Sequence, residues 1–292
     1  MIEKLHRCKS RFVTYPATII LGKQIFRSFY RNTGISWQGK KSCLVLSFDC
    51  DYSADVKAIP GILDKLAKTD IKASFACVGL FIKKYPKIHK RIVDEGHEIL
   101  NHTYSHPNND ELGTIERFND LSFKRIRNEI EKFHETCKEL VDYEPTGFRI
   151  PHFGPLYTDK IYPVLHDLGY KYSSSTIALR TPKRGLPYYQ NDVLEIPVSP
   201  CPEHPFGIFD TYHSFSRSRF SWHRKDFMQT FDRLLLAAVR TGNLVNVYFD
   251  PQDIKFFDFE GFLSRIRDCP DIWITTYDKL AKWWKDETVS VS

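Results

Sequence analysis

His102 and His106 stand four residues apart in Asn101-His102-Thr103-Tyr104-Ser105-His106-Pro107, and Asp49 and Asp51 flank Cys50 upstream. Histidines at i and i+4 share one face of a helical turn, so a single metal ion can meet both imidazoles. Three protein ligands with an open position form the usual catalytic zinc arrangement. Asp49 and Asp51 point to the same side if their strand continues that far. One would complete the metal site and the other would take a proton from the attacking water. Spacing alone does not assign the two roles. The chemistry this suggests is hydrolysis by activated water.

These side chains need elements to bring them together. Residues 42–48 carry Cys-Leu-Val-Leu and read as a buried strand ending at the two aspartates. Residues 55–68 read as a helix with Val56, Ile59, Ile62, Leu63 and Leu66 on one face. A strand over 71–78 feeds a helix over 80–95, which Gly96 ends. A brief strand over 98–100 delivers the histidines. A long amphipathic helix is expected over 114–140, a strand over 146–149, a helix over 158–167 and a strand over 170–173. Residues 180–225, with six prolines, break the rhythm and read as a loop-rich insertion. A helix over 225–240, a strand over 243–249, a helix over 259–267 and a strand over 272–275 follow. The alternation argues an α/β fold with parallel strands, in about seven βα units. Chemistry on parallel barrels sits at the C-terminal ends of the strands. Asp49, Asp51, His102, Arg149 and Asp250 all fall at such ends.

Further strings accompany the histidines in order: Asp94-Glu95-Gly96-His97-Glu98-Ile99 before them, then Gly147-Phe148-Arg149-Ile150-Pro151-His152-Phe153, Gly169 to Ser175, and Leu194 to Ser199. Together with Asp49-Cys50-Asp51 they resemble the polysaccharide deacetylase superfamily. These are carbohydrate esterases that include chitooligosaccharide and peptidoglycan deacetylases, and the match is to the subgroup with an Asp-x-Asp first motif. The resemblance runs from about Ser42 to about Trp284. It implies an irregular (β/α)7 barrel. It also implies Asp51, His102 and His106 as metal ligands and Asp49 as base. Arg149 would orient and tune Asp49, and the N–H of His152 would help hold the oxyanion. Two positions depart from the family pattern. Ser173 stands where an aspartate is usual. Asp250 stands where a histidine precedes proline as general acid. We expect Asp250 to be ionised and paired with Arg149, replacing the tether lost at Ser173. His97 lies off the His102/His106 face and is expected to be structural.

The charge is uneven. Residues 1–41 hold nine Lys or Arg against one Glu, a net of +8, whereas the whole chain carries +6, so the remainder nets −2. A nearly neutral domain argues against a nucleic-acid role. The basic, aromatic-rich segment instead suits an anionic membrane surface, or packing on the domain with a solvated basic face. Its apolar run is too short to span a bilayer. Seven cysteines without Cys-x-x-Cys read as buried free thiols in a reducing compartment.

The expected organisation is a basic N-terminal extension over 1–41, separable from a catalytic domain over 42–285, and a tail over 286–292. The expected function is removal of an N-acyl group, N-acetyl foremost, from an amino sugar in a glycan or glycan precursor. One divalent ion would be the cofactor; zinc is expected, though other divalent ions fit. The protein is expected in the cytoplasm, at the cytoplasmic face of a membrane. A small-molecule amidase of the same fold, or a silent carbohydrate-binding domain, are the competing readings.

Overall fold

The computed structural model describes residues 11–152, 159–181, 183–215 and 226–290. Strand β1 (Ser42–Cys50) lies at its centre, with all nine residues buried. Burial on both faces explains its unbroken apolar run. Eight more strands follow: β2 (Ser74–Cys77), β3 (Glu98–Asn101), β4 (Gly147–Phe148), β5 (Tyr172–Ser173), β6 (Tyr188–Gln190), β7 (Val193–Glu195), β8 (Leu244–Phe249) and β9 (Ile272–Thr275). They form one sheet in the order 6-7-5-4-3-2-1-8, with β9 also paired to β1. All pairings are parallel except β6 with β7.

The sheet is strongly curled, an open and distorted barrel. Its two ends approach beyond β7. Ser199 N–H donates to Asn246 O at 2.8 Å, and Asn246 N–H donates to Ser199 Oγ at 2.9 Å. The Asn246 amide also donates to Ile196 O and Pro197 O, each at 3.0 Å. A buried asparagine thus satisfies backbone groups that the missing strand pairing leaves open.

The helices are α1 (Arg11–Phe29), α2 (Ser53–Thr69), α3 (Gly79–Lys84), α4 (Pro86–Asp94), α5 (Phe123–Val141), α6 (Ile161–Asp167), α7 (Thr211–Phe215), α8 (Phe227–Thr241), α9 (Phe259–Arg267) and α10 (Tyr277–Ser290). The apolar stripe expected on α2 is buried throughout. Other elements depart from expectation for local reasons. The helix expected over 80–95 is two, broken at Tyr85, because Pro86 disfavours helical backbone in the residue before it. The helix expected from residue 114 starts at Phe123, where Ser122 caps it by accepting the Arg125 N–H. Residues 180–225 are not merely an insertion. Within them β7 is an internal parallel strand, joined to β6 across Asn191 and Asp192, both at positive φ, as a two-residue hairpin turn requires. Residues 216–225 and position 158, the first of the helix expected over 158–167, lie outside the described residues. So does residue 153 of the Arg149 string. The expected tail is helical as far as Ser290 in α10, and 291–292 lie outside.

The N-terminal segment packs onto the barrel from Ile25 onward. Ile25, Phe26 and Phe29 are buried in the main core. Trp37 is fully buried against Trp283 and Trp284, at 5.3 and 5.7 Å between ring centroids. Its Nε1–H donates to Gly242 O at 2.8 Å. The segment expected to be separable is therefore part of the core packing between Ile25 and Trp37, because its aromatic residues have apolar surface to bury. Residues 1–10, Cys8 among them, lie outside the described residues. The six described cysteines are free, and five of them are buried.

Candidate functional site

Asp51, His102 and His106 converge just beyond the C-terminal ends of β1 and β3. Asp51 Oδ1 lies 3.1 Å from His102 Nε2 and 3.3 Å from His106 Nε2. A tetrahedral zinc ion with bonds of about 2.0–2.1 Å sets its donors roughly 3.3 Å apart, so the spacing fits such an ion. Both histidines are 1% exposed, and neither His106 ring nitrogen has a hydrogen-bond partner. A cation would take the lone pair of His106 Nε2, the buried nitrogen that lies beside the Asp51 carboxylate. His102 is oriented by its other nitrogen, Nδ1, 2.8 Å from Arg149 O. Burial pushes the Asp51 carboxyl up, but His106 and His102 outweigh it and hold it well below the usual range. Burial pulls the His102 imidazole down, but Asp51 and Asp49 raise it overall.

The histidine loop is not helical. Thr103 and His106 have φ of 68° and 47°, in the left-handed region. The two rings meet, 4.9 Å between centroids, because side chains fold the loop and not because they share a helical face. Asn101 Oδ1 accepts the Thr103 N–H at 2.9 Å, and Thr103 Oγ1 accepts the His106 N–H at 3.1 Å. Glu129 accepts from the Ser105 N–H and hydroxyl at 2.8 and 2.9 Å. Gly79 lets α3 approach: a Cβ there would lie 2.7 Å from the Tyr104 ring and 3.0 Å from Tyr104 Cα.

Asp49 lies on β1, 4% exposed, beside Arg149, which is fully buried. Arg149 Nη1 donates to Asp49 Oδ1 and Oδ2 at 3.0 and 3.3 Å. Its Nη2 donates to Ser47 Oγ and Ser174 Oγ, each at 3.2 Å, and to Tyr277 OH. Tyr277 OH in turn donates to Asn246 Oδ1 at 2.6 Å, so the residue that joins the sheet ends also braces the arginine. Burial raises the Asp49 carboxyl above its usual value, with Arg149 and His102 opposing. A carboxylate held above its normal pKa by burial is a better proton acceptor than a solvated one.

Asp250 follows the end of β8, and among the described residues the carboxylate paired with the Arg149 guanidinium is that of Asp49. Burial raises the Asp250 carboxyl well above the usual range, and Asp55, Asp51, Asp210 and Asp253 push the same way. The expected ionised pair fails because the surroundings of Asp250 are acidic rather than basic. The tether sought there comes from neutral hydroxyls, Ser47, Ser174 and Tyr277. Ser173 itself turns its hydroxyl to Ser175 Oγ at 2.7 Å. His152 has a φ of 60°, and its ring stands edge-on to His106 at 4.8 Å. Its backbone N–H has no acceptor among the described residues, which leaves it free for a ligand oxygen. His97 is structural as expected, its Nδ1 accepting the Ala73 N–H at 3.1 Å. Cys50 is buried in the main core.

Sequence reasoning missed Tyr277 and Asn246, which act on Arg149 from 128 and 97 positions away with no local motif. It also missed Asp210 and His213, an i, i+3 pair at the start of α7.

The polysaccharide deacetylase family profile matches residues 37–173. A Bacillus cereus peptidoglycan-N-acetylglucosamine deacetylase is 39% identical over 112 residues, which cover 38% of this chain and 37% of that protein. A peptidoglycan-N-acetylmuramic acid deacetylase of Bacillus subtilis is 27% identical over 135 residues, 45% of this chain and 46% of that one. The matches thus span less than half the length of either relative. A Mycobacterium smegmatis structure assigned to the polysaccharide deacetylases superimposes with a TM-score of 0.72 at 17% identity, over 87% of this chain and 94% of that one. At that identity the likeness speaks for the fold.

Proposed function

We propose that this chain, which belongs to the polysaccharide deacetylase family, is a metal-dependent amide hydrolase that removes an N-acyl group from an amino sugar in a glycan or glycan precursor. The observation that carries the reading is Asp51 Oδ1 within 3.1 and 3.3 Å of two histidine nitrogens, next to an aspartate braced by a buried arginine. A divalent cation held by Asp51, His102 and His106 would polarise the amide carbonyl and lower the pKa of water. Asp49 takes the proton from the attacking water. Arg149 keeps the Asp49 carboxylate aimed, and the His152 N–H donates to the oxyanion that develops on the carbonyl oxygen. N-acetyl is the acyl group we favour, because the curated relatives are named for N-acetyl sugars.

The test combines divalent metal content after dialysis with release of acetate or formate from N-acetylated and N-formylated amino sugars and glycan fragments. Metal with turnover supports the hydrolase. Stoichiometric metal and sugar binding with no acid released would replace it by a silent carbohydrate-binding domain. Turnover of simple amides alone would favour a small-molecule amidase.

We further place the protein at the cytoplasmic face of a membrane, acting on a lipid- or nucleotide-linked sugar. No helix among the described residues is long and apolar enough to cross a bilayer. However, α1 exposes Val13 and Ile20, followed by exposed Lys23 and Arg27. Salt-sensitive binding to anionic vesicles that Ile20→Asp weakens is the expected result. Equal binding by the variant would remove the membrane role.

A further inference from the structure

Hydrolysis of an amide needs a proton on the departing nitrogen, because an amide anion is too basic to leave. Asp250, at the end of β8, is a carboxyl whose ionisation burial and the charges of Asp55, Asp51, Asp210 and Asp253 all oppose. A second group on the same rim is an imidazole held by a buried carboxylate. Asp210 immediately precedes α7, is fully buried, and sits as a parallel bridge partner of Tyr248 on β8. Its Oδ2 accepts from His213 Nδ1 at 2.6 Å and from Tyr248 OH at 3.2 Å. Its Oδ1 accepts the His213 backbone N–H at 2.6 Å.

With Nδ1–H committed to the carboxylate, Nε2 is the nitrogen left to face outward. The His213 side chain is 56% exposed. Thr211 Oγ1 accepts the Asp250 N–H at 2.8 Å, which ties the start of α7 to the mouth of β8. The Tyr248 ring lies 5.3 Å from the Arg149 guanidinium. A chain of contacts therefore runs from Asp49 through Arg149, Tyr248 and Asp210 to His213. An exposed histidine beside an acid is usually a surface ion pair. This one differs in that its acid is completely buried and fastened to a barrel strand, at the end where the chemistry lies.

We propose that His213, oriented by Asp210, is the general acid that protonates the leaving amine. The proposal rests on the N-acyl hydrolase reading and deepens it. Water forms the new C–O bond and gives one proton to Asp49. As the C–N bond breaks, its electron pair stays on nitrogen, which takes the proton from His213 Nε2. Exchange with solvent reprotonates His213 and clears the proton from Asp49. The carboxylate of Asp210 holds the His213 pKa above its usual value, which favours the protonated ring.

The test compares metal-loaded wild type, His213→Gln and Asp250→Asn on two substrates, an N-acetyl amino sugar and p-nitrophenyl acetate. A nitrophenolate leaves without a proton, so loss of the acid should spare the ester. His213→Gln is expected to lower kcat on the amide by roughly 10²-fold or more while changing the ester by only a few-fold. Equal losses on both substrates, no loss on either, or the amide-selective loss in Asp250→Asn instead, would overturn the proposal. Wild type that binds metal but cleaves no amide would overturn the hydrolase reading and this proposal with it. An NMR titration is independent of turnover. The His213 ring should titrate above the usual histidine value and fall back in Asp210→Asn. An unchanged midpoint in that variant would refute the dyad.

Discussion

The most demanding test of the site concerns the buried pair of Asp49 and Arg149. Arg149 is fully enclosed and donates to Asp49, Ser47, Ser174 and Tyr277. Arg149→Met keeps most of the aliphatic volume but leaves Asp49 without its cation. Asp49→Asn leaves the guanidinium buried without a charged partner. Removing one member of a buried ion pair costs about 3–5 kcal/mol, because the survivor is uncompensated, whereas removing both is far milder. The double variant should therefore recover about 2–3 kcal/mol relative to the sum of the singles. Urea unfolding at neutral pH should be run on metal-free protein, so that ligand binding does not add to the apparent stability. Both single variants should keep stoichiometric metal when it is supplied, since His102 leans on the Arg149 backbone carbonyl and not on its side chain. Additivity within about 0.5 kcal/mol would show that the hydroxyls hold the arginine independently of Asp49 and would refute the pairing.

Three further outcomes are expected. His102→Ala should abolish stoichiometric metal while the domain stays folded, and full occupancy in that variant would mean the ion sits elsewhere. Tyr277→Phe should cost about 1–3 kcal/mol, since it strands Asn246 Oδ1 and removes one acceptor from the arginine, and should lower kcat with metal content unchanged; unaltered stability and kcat would show that the brace is redundant. Glu98 is buried at the start of β3 and accepts the Tyr277 and Asp278 N–H groups, and burial pushes its pKa up to about 7 from 4.5. Its protonated form is thus favoured in the folded state, so its contribution is fully present below pH 4.5 and is lost as pH rises through about 7. Glu98→Gln should flatten the decline in unfolding free energy between pH 5 and 8, and an unchanged slope would assign it to other groups.

What could be read from the sequence follows from the range of the forces involved. The strand at 42–48, the apolar stripe of residues 56–66 and the placement of Asp49, Asp51, His102, Arg149 and Asp250 at strand ends are encoded by local periodicity, and the structure shows them. The conformation of the histidine loop was not legible, because it depends on Asn101, Thr103 and Glu129 side chains bonding backbone groups. The hairpin at Asn191 and Asp192 carried a local turn signal, but the prolines around it masked the strand that follows. The role of Tyr277 left no trace, since a tyrosine opening a C-terminal helix looks like any core aromatic until the fold sets it against Arg149. The Asp250 expectation failed for a similar reason. The charges that decide its state, Asp55, Asp51, Asp210 and Asp253, come from three separate stretches of chain.

The altered fourth and fifth motif positions are best understood together. Ser173 turns its hydroxyl to Ser175, and the hydroxyl that reaches the guanidinium from this stretch is that of Ser174. Here Asp49 is the carboxylate that Arg149 bonds among the described residues, while Ser47, Ser174 and Tyr277 fix its angle without charge. Orientation and charge are thus divided between different groups. The same division holds across the cleft. Asp250 occupies the end of β8 and secures α7 through its backbone N–H, while the Asp210–His213 pair stands at the start of α7. A chain that lost a proton donor at β8 without replacing it would have little reason to bury Asp210 completely and bond it three times. One of those bonds, to His213 Nδ1, fixes the tautomer of the imidazole, as the proposed proton transfer requires.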